Sequence, residues 1–246
     1  MDFGQFILMR HELLLTFTAV AMLVAEIFTG DKGRARLIPF ALTLFAVITI
    51  VGFIPNESGS LFGGSYQSSP LTTFMKNTLN LGVLIIFLQA EGWLRKEENK
   101  DKITEYFALT LATLIGMNFM ISAGDFLIFY IGLETATIPI AGLAAFDKLK
   151  SRSAEAGIKM ILSSALSSGI LLFGLSLLYG ATGTIYFADM TSLITKDAMT
   201  LLGFIFFVSG MGFKISLVPF HFWTADVYEG APTQVTSYLS VVSKGA

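Results

Sequence analysis

Long, continuous apolar runs set the pattern of this 246-residue chain. They fall approximately at 13–28, 37–54, 71–94, 103–122, 125–146, 154–179 and 199–218. Most approach the ~20 residues a helix needs to cross a bilayer. Unbroken runs fit helices, whereas the strands of a membrane barrel alternate. An eighth run follows Pro232, over 233–246. At about 1.5 Å per residue it is too short for a hydrocarbon core of about 30 Å, so it is expected to be the start of a helix in a truncated chain. The pattern predicts an all-α, polytopic transmembrane bundle of about seven complete spans and the start of an eighth.

The seventh run carries two residues that do not suit it. Lys214 lies inside it, and Pro219 follows five residues later. A lysine at membrane depth is costly and usually faces protein or water at a site. Pro219 has no N–H for the carbonyl of Ile215, which predicts a broken seventh helix beside the lysine. The freed carbonyl is expected to pair with the ammonium, as at the broken helices of ion transporters.

Composition supports the membrane reading, with 54% hydrophobic and only 14% charged residues. A net charge of -2 offers nothing to nucleic acid. With no cysteine, the chain cannot itself supply thiolates for zinc or an iron–sulfur centre. The N-terminus MDFGQFILMR lacks the basic region of a cleavable signal peptide.

Charge then sets the expected topology. Lys32, Arg34 and Arg36 lie between runs one and two, Arg95, Lys96, Lys100 and Lys102 between three and four, and Lys148, Lys150 and Arg152 between five and six. The intervening loops hold almost no Lys or Arg, Lys196 excepted. The positive-inside rule puts the basic loops in the cytoplasm and the N-terminus outside, with Trp93 and Trp223 near cytoplasmic interfaces.

A handful of charges are left inside the runs. Lys76, near the outer start of span three, is expected to snorkel to the headgroups. Lys159 could snorkel too, but its helix carries Ser163, Ser164, Ser167 and Ser168, a face suited to close packing or a hydrated seam. Glu134 sits mid-depth in span five and must be neutral, paired or solvated, with Pro139 perturbing the helix beside it. Lys244 lies about 12 residues into the eighth helix, near the membrane centre. A structural ion pair, with the charges fixing helix register only, is the plain alternative for Glu134, Lys214 and Lys244. Glu26, Glu91, Glu105 and Asp125 fall near span ends, within reach of headgroup water. His221 follows the break and could relay protons, though a packing role suits its PFHFW setting better.

One buried carboxylate and several buried amines can pass protons laterally through internal water, or exchange a proton for Na⁺ or K⁺. The residues alone do not choose between these.

KISLVPFHFWTADVYEGAPTQVTSYLSVVSK, from Lys214 to Lys244, resembles the signature region of subunit N of the proton-pumping NADH–quinone oxidoreductases (respiratory complex I). GLETATIPIAGL around Glu134 and AGIKMILSSALSSGILLFG around Lys159 resemble the same family's fifth and sixth helices, while spans one to three match only in hydropathy and placement. The resemblance implies a three-helix segment over 1–98 and the first of two inverted five-helix repeats over 99–246. It also implies proton-transfer roles for Glu134, Lys214, Lys159 as a bridging lysine, and Lys244, with His221 as a further relay candidate. It places FMN, iron–sulfur clusters and quinone in other subunits, makes those membrane subunits and the lipid bilayer the partners, and sets the chain in a bacterial inner membrane. A subunit of a multisubunit Na⁺/H⁺ antiporter is the alternative.

Overall fold

The computed structural model describes residues 3–147 and 149–246. Lys148 of the third basic loop lies outside them. A 3₁₀ turn at Phe3–Met9 leads into α1 (Arg10–Gly33), followed by α2 (Leu37–Gly52), α3 (Pro70–Leu94), α4 (Ile103–Ile121), α5 (Phe126–Ala144) and α6 (Ser151–Thr182). These six helices, with their flanking turns, are long and apolar enough to cross a membrane. Where a seventh full span is expected, a short helix α7 (Phe187–Leu193) precedes α8 (Ala198–Lys214), whose 17 residues end at the lysine. The chain resumes as α9 (Phe222–Gly230) and α10 (Thr233–Ser237), which passes into a π-helical turn at Tyr238–Ser243.

Among the described residues, a short sheet interrupts the helices. Strands β1 (Gly59–Leu61) and β2 (Tyr66–Ser68) form a small antiparallel hairpin between α2 and α3. Positive φ at Phe62, Gly63 and Gly64 turns it, and the two glycines adopt that geometry at little cost. Ser69 then caps α3 in a capping box with Thr72, ahead of Pro70 at the first helical position.

The loops sort by charge into two ends. Arg34 pairs with Asp101, and Lys102 donates to the carbonyl of Phe146 at 3.4 Å, so the three basic loops meet at one end. Loops with almost no Lys or Arg, Lys196 excepted, meet at the other: Gly124 donates to Ser65 at 2.7 Å and Phe126 to Ile185 at 3.0 Å. The sidedness read from charge thus appears as a real segregation in space.

Inside lipid, apolar contact between helices gains little over contact with acyl chains, so close packing and small residues hold the bundle. A Cβ on Gly116 of α4 would come 2.3 Å from the backbone nitrogen of Ala136 in α5. Near the basic end, rings interlock: Phe87 lies 4.7 Å from Phe107 and 5.0 Å from Phe45, and Trp93 lies 5.4 Å from Phe146. Large side chains such as Ile27, Phe28, Ile50, Leu71 and Leu162 point outward, as lipid-facing residues do.

Two expectations about charged side chains are corrected here. Lys76 does not snorkel. It is 2% exposed and lies 2.6 Å from Glu12, because α1 begins at Arg10 and carries that carboxylate inside the bundle. Asp125 is not served by headgroup water either: it is buried as the N-cap of α5, its Oδ1 accepting the amide of Ile128 at 2.8 Å.

Candidate functional site: a buried acid–amine pair beside a helix break

Two helices, α5 and α6, converge on the end of α8. On α5, Glu134 and Thr137 are three apart and share a face. On α6, Ser164 and Ser168 are four apart and do likewise. Ser168 donates to Glu134 Oε1. Lys214 donates to Ser164 Oγ at 2.7 Å and to Thr137 Oγ1 at 3.2 Å, and its Nζ lies 3.6 Å from Glu134 Oε1. The lysine side chain is 7% exposed and that of the glutamate 23%. The serine face read from sequence is therefore a polar rail under both partners of the pair.

Small residues make this approach possible. A Cβ on Gly210, one turn before Lys214, would meet Ser167 O and Leu171 N at 2.8 Å. Only glycine lets α8 lie this close to α6. As the last residue of α8, Lys214 also places its charge at the negative end of the helix dipole.

The break is as expected in place and different in its bonding. Ile215 donates to Met211 O at 3.0 Å, Leu217 to Gly212 O at 2.7 Å, and the Trp223 indole to Phe213 O at 3.0 Å. These bonds close the end of α8, and the Lys214 ammonium donates to the hydroxyls of α5 and α6 rather than to the Ile215 carbonyl. Ser216 holds a positive φ of 59°, and the Val218–Pro219 peptide is cis. In α5, by contrast, Pro139 is accommodated inside a continuous helix.

Lys244 lines a cavity together with Lys214. Its Nζ stands 5.0 Å from the Tyr228 ring centroid and 5.9 Å from that of Trp223, a favourable setting for a cation. With Lys214, Met117, Leu133 and Thr137 it lines a cavity of about 140 Å³, room for several waters. The π-helical turn at Tyr238–Ser243 immediately precedes it; such turns recur at functional positions.

The other candidates lie elsewhere. Lys159 is 2.6 Å from both Asp226 and Glu155 and half-buried, in a charged cleft with Arg152 and Glu229 at the basic end. It does not touch the Glu134–Lys214 pair. His221 is exposed and stacks on Phe222 at 4.7 Å. Among the described residues there is no group of three or more His, Asp or Glu placed to hold a metal. Sequence reasoning missed Ser168 as a carboxylate donor by role, and missed Asp226, whose link to Lys159 spans 67 residues.

Fold and site define a polytopic helical membrane protein with an acid–amine pair inside its bundle. The family described as NADH:quinone oxidoreductase/Mrp antiporter, transmembrane, matches residues 123–246, and the chain belongs to it. Across its full length it is 48% identical to the NADH-quinone oxidoreductase subunit N of Phocaeicola vulgatus, covering 52% of that relative. It is 49% identical to the subunit N of Azobacteroides pseudotrichonymphae, again covering 52% of it. The chain thus spans about half the length of these curated relatives. Its fold matches a chain of respiratory complex I from Thermus thermophilus with bound aureothin, at a TM-score of 0.78 and 25% identity, over 96% of this chain and 51% of that one. A chain of an archaeal membrane-bound sulfane sulfur reductase shares the fold at a TM-score of 0.77 and 21% identity, over 96% and 51%. The resemblance seen in the motifs holds, and it reaches spans one to three as well.

Proposed function

We propose that this chain forms the N-terminal part of a proton-translocating membrane subunit of an NADH–quinone oxidoreductase. Residues 1–98 are a three-helix segment and 99–246 the first antiporter-like repeat. Electron transfer from NADH to quinone, through FMN and iron–sulfur clusters, takes place in partner subunits. This chain's part is the movement of protons through Glu134, Lys214 and Lys244. The protein resides in a bacterial inner membrane with its N-terminus outside and the basic loops in the cytoplasm. Lys159, between Glu155 and Asp226, stands at the mouth of the route on that side, and His221 is a further relay candidate.

The observation that carries this reading is the packing of Lys214 against Glu134 with Ser164, Ser168 and Thr137 around them. A structural pair has no need of a second amine on a shared cavity with room for several waters, yet Lys244 is there. In the full-length protein within its assembled complex, Lys214→Ala and Glu134→Ala lower proton pumping coupled to NADH oxidation. Wild-type pumping in an assembled Lys214→Ala complex overturns the role. Because the family's description also names an antiporter, exchange of Na⁺ for protons without an NADH-linked partner would favour that second reading.

A further inference from the structure

A second buried ion cluster sits at the end of the bundle opposite the basic loops. Lys76 Nζ lies 2.6 Å from Glu12 Oε1 and donates to Tyr66 Oη at 2.8 Å. Tyr66 Oη donates in turn to Glu12 Oε2 at 3.0 Å, closing a ring among residues that are at most 2% exposed. Around it, His11 Nε2 and Asn77 Oδ1 are 3.0 Å apart, Asn77 donates to Gly52 O at 3.0 Å, and Arg10 donates to Ile54 O at 2.6 Å. Burial, with the Glu12 carboxylate alongside, holds the Tyr66 phenol above its usual range, so it remains a protonated donor.

A staple between α1 and α3 would be complete at that ring, but polar groups continue inward. Asn80 and Asn118 are fully buried, and neither end of either amide has a protein partner. Asn80 is four residues after Lys76 on α3. Asn118 is four before Ser122, whose carbonyl accepts the Gln67 amide at 2.7 Å beside Tyr66. Because α3 and α4 run in opposite directions, both asparagines lie one turn, about 5.4 Å, deeper than the cluster. An amide left unsatisfied in a bilayer core is costly, so bound water is the partner these four atoms call for.

Further along α4, Thr113 hydrogen-bonds Tyr238, whose hydroxyl also lies 3.8 Å from Met117 Sδ. Met117 lines the cavity that holds Lys214 and Lys244. In the other direction Tyr66 Oη reaches the Leu8 carbonyl at 3.4 Å. Leu8, with Gln5, Arg10, Asn56 and Glu57, lines a surface cleft of about 420 Å³.

We propose that Glu12, Lys76 and Tyr66 form a second proton-transfer station, joined through water held on Asn80 and Asn118 to the Lys214–Lys244 cavity and opening at the face opposite the basic loops. The station rests on the proton-translocating reading above. In the transfer one N–H bond of the Lys76 ammonium breaks and one O–H bond forms on Glu12. Tyr66 relays by accepting from Lys76 as it gives its own proton to the carboxylate. The pair is neutral overall before and after, so the step needs no redox partner.

The test uses the complete oxidoreductase, with the full-length subunit, reconstituted in liposomes, and measures protons pumped per NADH oxidised. Asn80→Leu with Asn118→Leu replaces the water-binding amides by apolar groups of similar size. The expected loss is at least half of that caused by Lys214→Ala. A purely structural cluster predicts no loss, since the leucines relieve unsatisfied polar groups. Tyr66→Phe, which removes a hydroxyl and leaves the packing, carries the same expectation and serves if the leucine pair fails to assemble. Full pumping in these variants, with Lys214→Ala impaired, overturns the station alone. Full pumping in Lys214→Ala as well overturns the reading beneath it.

Discussion

The Lys214 ammonium is nearer to the Ser164 hydroxyl, at 2.7 Å, than to the Glu134 carboxylate, at 3.6 Å. The hydroxyls hold the amine while the charge partner stands slightly off, itself held by Ser168. A swing of either side chain would make or loosen the ion pair, with hydroxyls of α5 and α6 flanking both groups. At an effective dielectric of about 20, separating such a pair from ~4 to ~8 Å changes its attraction by about 2 kcal/mol.

The first prediction concerns that pair. Glu134→Gln or Lys214→Met alone leaves one charge inside the bundle without its partner, an effect of roughly 3–5 kcal/mol where burial is complete. The combined change removes both charges and comes close to neutral. Thermal denaturation of the assembled complex is expected to rank the double variant above either single one, with pumping lost in all three. Intact pumping in the double variant would show the charges to be register devices only.

How much of this was legible depended on where each charge fell within an apolar run. Glu134 and Lys214 stand well inside theirs, so rarity alone marked them, and the structure packs them together. Glu12 falls one residue before the apparent start of the first run, and Lys76 five after the start of the third. Lys76 looked like a residue at an interface, and Glu12, outside every run, drew no notice. The helix starting at Arg10, and the hairpin that brings Tyr66 over them, are tertiary facts with no periodic signal. Pro219 located the break, but α8 stops five residues earlier, because the indole of Trp223 and the turn at Leu217 close its end. Lys159 was legible as unusual, whereas its carboxylate partner on α9 depends on how the chain returns after the break.

The second prediction concerns pH at the start of α8. Asp197 caps this helix, accepting the Thr200 amide at 2.7 Å and the Thr195 hydroxyl at 2.7 Å. The Thr200 amide foremost, then the neighbouring hydroxyls, hold its carboxyl below the usual carboxylate range. A carboxyl depressed on folding contributes stability that is complete above its unfolded value and is lost as pH falls through the folded one. Hydrogen exchange is expected to show the first turn of α8 losing protection only in that acidic window. Asp197→Asn keeps an acceptor oxygen and should remove the pH dependence; an unchanged acid transition in that variant would separate the cap from the effect.

The third prediction tests the approach of α6 and α8, on which the geometry at Lys214 depends. A Cβ at Gly210 would stand 2.6 Å from Leu171 Cβ and 2.8 Å from the backbone of Ser167 and Leu171. Backbone cannot yield as a side-chain tip can, so Gly210→Leu must push the helices apart. Overpacking of this kind costs about 1–3 kcal/mol. Lys214, one turn further on the same face, would be drawn away from Ser164 and Glu134 as the gap opens. Gly169, on the exposed face of α6, has nothing within 4 Å of its Cβ position, so Gly169→Ala changes stability by only about 0.5 kcal/mol. In the assembled complex, Gly210→Leu is therefore expected to lower both the denaturation midpoint and coupled pumping, while Gly169→Ala moves neither appreciably. Equal behaviour of the two would mean that the spacing of α6 and α8 does not govern the pair.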